Sequence, residues 1–287
     1  MEEIRDCLIC GSNSLEDHQS VKDHFGTQEV FQLQGCRQCQ TLFTNPRPEE
    51  NKIIKYYKSG SYISHGDKIN SLFNRLYNLI QSQNLKYKQR IVEKYSFKGK
   101  LLDYGCGVGS FLQHMSQKGW EVTGVEPDEQ ARKISTSRDL PVKELNQIED
   151  CFNCISLFHV LEHVHSLNET LEQLCTLLDR NGILILALPN YKSYDAQHYE
   201  QFWAGYDVPR HLYHFSQKSI THLAKKFGLN IVATHPLYFD SYYVSLLSEK
   251  YKGSKFPIVP AAVQGFISNQ KAKRNKEYSS LIYILSK

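Results

Sequence analysis

The sequence predicts an α/β fold: a mostly parallel β-sheet with helices on both faces, preceded by a small cysteine-bearing ribbon. Three observations predict it. Residues 101–110 read LLDYGCGVGS, a short apolar run that ends in an acid and a glycine turn. From there to the C-terminus, strand-like apolar runs alternate with helical patterns, the signature of parallel strands joined by helices. Two Cys-x-x-Cys pairs, Cys7/Cys10 and Cys36/Cys39, stand ahead of that alternation.

The chain has 287 residues and 41% hydrophobic content, enough for one large domain and a small one. No run of 18 apolar residues is present, so no membrane span is expected. The start, MEEIRDCLIC, lacks the basic and apolar regions of a secretory signal, which leads to the expectation of a cytoplasmic protein with reduced thiols. A net charge of +4 permits a nucleic-acid partner without arguing for one.

Residues 1–48 read as a zinc ribbon. Each Cys-x-x-Cys pair sits on its own tight turn, which Gly11 and Gly35 suit, and together they offer four thiolates to one tetrahedral ion. VFQLQGCRQCQTLFTNPRP supplies short strands between and after the pairs. A segment of about 45 residues has too little core to fold alone, and structural zinc supplies on the order of 10 kcal/mol in such modules. Cys7, Cys10, Cys36 and Cys39 fill every ligand position, so the zinc is structural and not catalytic. Two disulfides are the rival reading, disfavoured in a cytoplasmic chain.

Residues 49–95 read as a linker followed by one or two amphipathic helices, with Ile69, Leu85, Ile91 and Val92 at helical spacing. Tyr56, Tyr57 and Tyr62 precede them, either as a lid or as ordinary surface aromatics.

Residues 96–287 form the main domain. Glycine tolerates positive φ, and without a Cβ it lets a ligand lie against the backbone. The helix opening at Phe111 aims free N–H groups at a bound carboxylate or phosphate. WEVTGV at 120–125 is the next strand, and Glu126 ends it. An acid about 20 residues beyond the first glycine suits a pair of ribose hydroxyls. The spacing is G-x-G-x-G, with no glycine at 110, which argues against NAD and FAD. No G-x-x-x-x-G-K-[ST] is present in this turn, which argues against a nucleoside triphosphate. FNCISLF at 152–158 is a buried strand running to His159, with Glu162, His163 and His165 crowding its tip. Residues 179–182 (DRNG) form a turn, and an apolar strand follows over 183–188.

DYGCGVG, GVEPD, FHVLEHV and NGILILALPN, in that order, resemble the successive motifs of class I S-adenosylmethionine-dependent methyltransferases. The likeness covers roughly residue 66 to the end. A zinc ribbon ahead of this domain resembles the arrangement in sugar C-methyltransferases. The resemblance implies a Rossmann-like seven-stranded sheet, methyl transfer, and S-adenosyl-L-methionine as cofactor. It implies that Asp103, Tyr104, Gly105, Cys106, Gly107 and Gly109 hold the methionine portion, that Glu126 and Pro127 hold the ribose, and that His159 contacts the cofactor or the substrate. The position that meets adenine in related enzymes offers Glu144 or Asn146. In ubiquinone-biosynthesis O-methyltransferases the similar segment carries acid-x-x-acid-His and is associated with a divalent metal. Here His159 replaces the first acid. Either His159, Glu162 and His163 bind a metal, or Glu162 and His163 fix the loop by hydrogen bonds.

Residues 191–216 form a long aromatic loop with a functional look. Its DVPRHLYHFS resembles a segment of the zinc-ribbon methyltransferases in which a histidine is the proposed base. That histidine falls on His211, while His214 takes the place of an aromatic residue. Ser216 and Gly228 read as the caps of a helix over 217–227. Residues 229–236 are the sixth strand and 237–275 an insertion, with Lys271, Lys273, Arg274 and Lys276 as a solvated face. Residues 280–286 form the last strand, antiparallel at the sheet's edge.

The expected reaction is methylation of a small-molecule oxygen or activated carbon, with His211, His214 and His159 as the candidate catalytic residues. Two rival readings stand beside it: an RNA or protein acceptor presented by the ribbon, and a non-catalytic cofactor-binding subunit. The ribbon lacks aromatics interleaved with Lys or Arg, which counts against nucleic acid.

Overall fold

A computed structural model describes residues 1–57 and 71–287; Tyr62, Ile69 and the side chains of 71–80 lie outside the described residues. The N-terminal ribbon is built from β1 (Leu15–Lys22), β2 (Val30–Cys36) and β3 (Leu42–Thr44), all antiparallel. Its fourth strand is Tyr213–His214, from the far end of the chain, with Leu42 opposite His214 and Phe43 opposite Tyr213. The ribbon and the loop over 191–216 therefore share one sheet. The reason is physical: a three-stranded ribbon exposes an edge and buries little, so a strand from the larger body covers it.

The junction is reinforced by charge. Arg210 is 2% exposed and donates to Asp23 Oδ1 at 2.9 Å, to Asp207 Oδ1 at 2.7 Å and to the Tyr56 carbonyl at 3.0 Å. Asp23 belongs to the ribbon and Asp207 to the loop, so one guanidinium clamps the two together. Tyr56 closes the short helix α1 (Ile54–Tyr57) together with Tyr57.

The chain then runs through α2 (Ser71–Tyr95), β4 (Lys100–Tyr104), α3 (Ser110–Ser116), β5 (Glu121–Val125), α4 (Glu129–Thr136), β6 (Val142–Lys143) and β7 (Phe152–Phe158). Next come α5 (Leu167–Leu177), β8 (Leu178–Pro189), α6 (Tyr194–Tyr199), β9 (Tyr213–His214), α7 (Gln217–Lys226), β10 (Asn230–Pro236), α8 (Asp240–Tyr251), α9 (Ile258–Asn275) and β11 (Ser280–Ser286). The large sheet has the order β10-β11-β8-β7-β4-β5-β6, with β4 to β8 parallel and β10 and β11 antiparallel.

Alternate side chains of each strand feed two cores. Leu102, Ile155, Leu184 and Leu186 pack on one face with Leu171 of α5 and Leu223 of α7. Leu101, Cys154, Ile183 and Ile185 pack on the other with Val92 of α2 and Leu112 of α3. Strands buried on both faces read as continuous apolar runs, which is why 183–188 shows no alternation.

Three expectations need correction. β11 is not the edge strand; it lies between β8 and β10. Leu281, Tyr283 and Leu285 fill one core and Ile282 and Ile284 the other, so both faces need cover, while β10 is largely exposed. Residues 179–182 are drawn into β8, but the pairing with β7 jumps from Leu178 to Ile183, so they bulge out as the turn signal required. Gly35 serves no turn. It lies within β2, and the second cysteine turn uses Gln40 at φ 59°, whose N–H donates to the Cys36 carbonyl at 2.9 Å.

The capping expected at α7 matches: Ser216 accepts from the Ser219 N–H at 3.2 Å, and Gly228 follows the helix at φ 65°. Asp128 caps α4 in the same way, accepting from the Ala131 N–H at 2.8 Å. Cys154 is buried and Cys151 exposed, so that Cys-x-x-Cys is no metal pair. Replacing Arg210 with alanine would leave the buried Asp23 carboxylate and the partly exposed Asp207 carboxylate without their cation. The expected cost is about 3–5 kcal/mol, read as a lower denaturation midpoint, and an unchanged midpoint would refute the clamp.

Candidate functional site

The crevice opens at the carboxyl ends of β4, β5 and β7. Asp103 is buried and accepts a hydrogen bond from Ser156 Oγ at 2.7 Å. Burial pushes its pKa up to about 6, against the pull of Ser156 and Lys88. Glu126 is also buried, and burial raises its pKa. Its Oε2 accepts from the Gly107 N–H at 2.7 Å and its Oε1 from the Asp128 N–H at 2.9 Å. The two acids feel each other's charge across the glycine turn.

Gly105, Gly107 and Gly109 all have positive φ, at 74°, 56° and 78°. They serve different ends. A Cβ on Gly105 would stand 2.4 Å from Val160, and one on Gly109 would stand 2.3 Å from Leu140. Only at Gly107 does a Cβ meet nothing within 4 Å, so this glycine faces open space beside Glu126. Ser135 Oγ donates to the Gly107 carbonyl at 2.6 Å and fixes the turn. Tyr104 turns into the core behind β4, and Val108 is exposed, so neither fills the space between the acids. Cys106 is buried, which pushes its thiol up to about 12. Pro127, Glu144 and Asn146 are exposed.

Lys88 of α2 lies with its ammonium 3.9 Å from the Phe158 ring centre and feels Asp103 and Asp240. It places a cation beside the acid of the crevice. The sequence reading weighed only the apolar positions of that helix and missed it.

A second cluster forms at the end of β7. His159 adopts φ 59°, a left-handed conformation that costs a non-glycine residue energy. Its Nε2 lies 3.1 Å from Asp240 Oδ2 and its Nδ1 lies 3.6 Å from Glu162 Oε1. Burial disfavours its charge, but the two carboxylates outweigh this and push its pKa up to about 9. Asp240 opens α8, inside the stretch expected to be an insertion, and no local pattern marked it.

Glu162 is 1% exposed, and neither carboxylate oxygen has a hydrogen-bond partner. Burial would raise its pKa, but His159 and the neighbouring His211 and His163 hold it below the ordinary value. His211 is 9% exposed, and its Nδ1 lies 2.9 Å from the Gly205 carbonyl. A carbonyl only accepts, which assigns the hydrogen to Nδ1 and leaves a lone pair on Nε2. The His163 ring stands edge-on to His211 at 4.6 Å, and its Nδ1 lies 3.0 Å from the Arg210 carbonyl. Burial, then His211, push His163 down to about 4. Glu162, His163 and His211 offer ligand atoms that lie within 4.8 Å of one another, a set in which His211 stands where the sequence suggested His159.

The other two histidines sit apart. His214 is buried in β9, with Nε2 3.3 Å from Thr44 Oγ1, and burial holds its pKa well below the ordinary value. His165 turns away from the crevice: the short turn over 161–163 aims its Nε2 at the Pro48 carbonyl, 3.0 Å away.

In the ribbon the four cysteines converge. Cys7 and Cys39 sulfurs are 3.4 Å apart, those of Cys10 and Cys36 are 3.5 Å apart, and all four thiols are free. A tetrahedron with Zn–S bonds of ~2.3 Å has edges of roughly 3.8 Å, so the set fits such an ion.

The family described as Methyltransferase domain matches residues 77–234, just over half of the chain. The chain belongs to that family. The methyltransferase is 25% identical over 193 residues to the ubiquinone biosynthesis O-methyltransferase of Pelagibacter ubique (strain HTCC1062), covering 56% of this chain and 80% of the relative. It is 28% identical over 129 residues to the mitochondrial ubiquinone biosynthesis O-methyltransferase of Schizosaccharomyces pombe, covering 40% of this chain and 47% of the relative. Its fold is similar to that of magnesium protoporphyrin IX methyltransferase from Synechocystis PCC 6803 with bound SAH, at a TM-score of 0.52 and 17% identity, covering 81% of this chain and 97% of that one. The enzyme is an S-adenosylmethionine-dependent methyltransferase with a Rossmann-like, seven-stranded sheet.

The charge state of His159 has a testable sign. Its folded-state pKa is raised from 6.5 to about 9, so its stabilising contribution is full below about 6.5 and is lost as pH rises through about 9. Asp240→Asn is expected to lower the His159 midpoint by more than one unit in histidine-ring NMR, and an unmoved midpoint would exclude the contact.

Proposed function

We propose that this methyltransferase moves the methyl group of S-adenosylmethionine to an oxygen, or an activated carbon, of a small-molecule acceptor. His211 serves as the base. The observation that carries the reading is a contact: Nδ1 lies 2.9 Å from the Gly205 carbonyl, which assigns the hydrogen there and leaves Nε2 to take a proton, and the buried ring has a nitrogen within 4.8 Å of the Glu162 carboxylate. The two relatives named as O-methyltransferases support an oxygen acceptor.

The bound cofactor supplies an electrophilic methyl group. The chain's own work is to align, to exclude water and to take a proton. Glu126 holds the ribose: each carboxylate oxygen has accepted one backbone N–H and keeps a lone-pair direction for a hydroxyl. Asp103 meets the methionine ammonium and Lys88 its carboxylate. The open side of Gly107 leaves room for the ligand against the backbone. Glu162 stabilises the imidazolium that His211 becomes after taking a proton. His159, already charged between two carboxylates, is a fixed positive group and not a proton acceptor. His214 orients the loop from behind.

A second reading rests on the Glu162 carboxylate, whose oxygens have no hydrogen-bond partner. His159 offsets its charge from 3.6 Å, yet buried carboxylate oxygens are ordinarily also hydrogen-bonded or ligating. A divalent cation held by Glu162, His163 and His211 would occupy those oxygens and act as a Lewis acid. The four ribbon cysteines hold structural zinc, and free thiolates of this kind suit a reducing compartment such as the cytoplasm.

His211→Ala is expected to lower kcat on the order of a hundredfold with cofactor affinity intact, and unchanged turnover removes His211 from the mechanism. Glu126→Ala is expected to weaken cofactor binding by calorimetry at least tenfold, the scale of one charge-assisted hydrogen bond. Elemental analysis is expected to find one zinc per chain that survives mild chelation. A second, chelator-labile divalent ion needed for activity would favour the cation reading over the base.

A further inference from the structure

α8 and α9 pack as a hairpin with its polarity turned outside in. Their buried faces are made of small or polar residues: Ser241, Ser245 and Ser248 on α8, Gly265 and Ser268 on α9. Ser241 Oγ donates to the Gly265 carbonyl at 3.1 Å, while Ser248 accepts from the Ala204 N–H and Ser268 donates to Asp195 of the aromatic loop. The backbones approach so closely that a Cβ on Gly265 would stand 2.9 Å from the Tyr242 Cα. The large apolar residues point the other way. Val259, Val263 and Phe266, at i, i+4 and i+7, form one stripe, and Phe256 and Ile258 project at the hairpin's tip. All five are between 48% and 82% exposed. A helix that faced only water would carry polar residues there, and an apolar patch of this kind marks an interaction surface.

Charge decides the partner. Residues 250–276 carry seven Lys or Arg and no Asp or Glu, so the rest of this +4 chain is net negative. Lys252 and Lys255 flank the tip, and Lys273 continues the stripe seven residues beyond Phe266, beside Arg274. All four are exposed. An apolar ridge bracketed by cations is complementary to an anionic lipid surface, with phosphates at the level of the lysines and acyl chains below them. A second copy of the chain would bring two strongly basic faces together, which like-charge repulsion opposes. A nucleic acid would use the cations and leave Phe256 and Ile258 in water. Among the described residues no helix is long and apolar enough to cross a membrane, so α9, about 27 Å long, would lie along the surface.

We propose that the α8–α9 hairpin docks the enzyme on anionic phospholipid membranes, with Phe256, Ile258, Val259, Val263 and Phe266 entering the boundary between headgroups and acyl chains. Asp240, at the base of the same hairpin, contacts His159, so the hairpin that docks also reaches the cluster at the end of β7.

The test is co-sedimentation of the full chain with vesicles of pure phosphatidylcholine and of phosphatidylcholine with about 30% phosphatidylserine. The expected result is at least tenfold stronger partitioning onto the anionic vesicles, with part of the binding surviving 0.5 M salt (~4 Å Debye length) because it is apolar. Lys252→Glu with Lys255→Glu is expected to reduce partitioning at least tenfold at low salt, at about fivefold or more per cation removed. Phe256→Asp with Ile258→Asp is expected to abolish the salt-resistant part. Both pairs are exposed, and unchanged cofactor affinity will report that the fold is intact. Equal failure on both vesicle types overturns the proposal. So does salt-sensitive RNA binding that the Phe256/Ile258 pair does not alter, or a dimer that these changes split while vesicle binding stays absent.

Discussion

Arg210 holds this enzyme together. Its guanidinium is buried between Asp23 of the ribbon and Asp207 of the loop, and it also caps the Tyr56 carbonyl. Three segments far apart in sequence meet on one charge. A charge taken so far from water is tolerable only when its donors are met, and here carboxylates and a carbonyl meet them. The next residue is His211. The rigidity of the clamp is thus handed directly to the group proposed to take the proton.

This gives the ribbon a role beyond its cysteines. The cysteine cluster shapes the turns that align β2 and β3, β3 pairs with β9, and the Thr44 hydroxyl donates to the His211 carbonyl at 2.7 Å. In the proposed arrangement the glycine turn of the large sheet lies on the cofactor side of the crevice, and the aromatic loop, backed by the ribbon, and the first turn of α8 lie on the acceptor side. Trp203, Tyr199 and Tyr206 of the loop share one apolar cluster with Phe31 and Leu33 of the ribbon.

What was legible in the sequence was local. The glycine turn, Asp103, Glu126 and the helix caps follow from residue type and short spacing, and the four cysteines announce their cluster by spacing alone. What was not legible is long-range. Nothing near residue 42 says that its strand partner is residue 214. Asp240 lies in a stretch with no functional pattern, and only the fold sets it against His159. Lys88 is one lysine among several on its helix, and three-dimensional placement alone singles it out. The position of β11 differs from the edge expected of it: its two faces feed both cores, and β10 covers the margin that β8 leaves free. The glycines were legible only in part: all three have the positive φ that residue type suggested, but the room that two of them leave is filled by Val160 and Leu140.

The sheet shared by β3 and β9 has a consequence for biosynthesis. On the ribosome the N-terminal strands emerge first, but their hydrogen-bonding neighbour is translated some 170 residues later. At ~5–20 residues per second this leaves an unpaired β-margin exposed for about 10 seconds or more. Until residue 214 is made, the nascent polypeptide carries that margin open to a foreign strand.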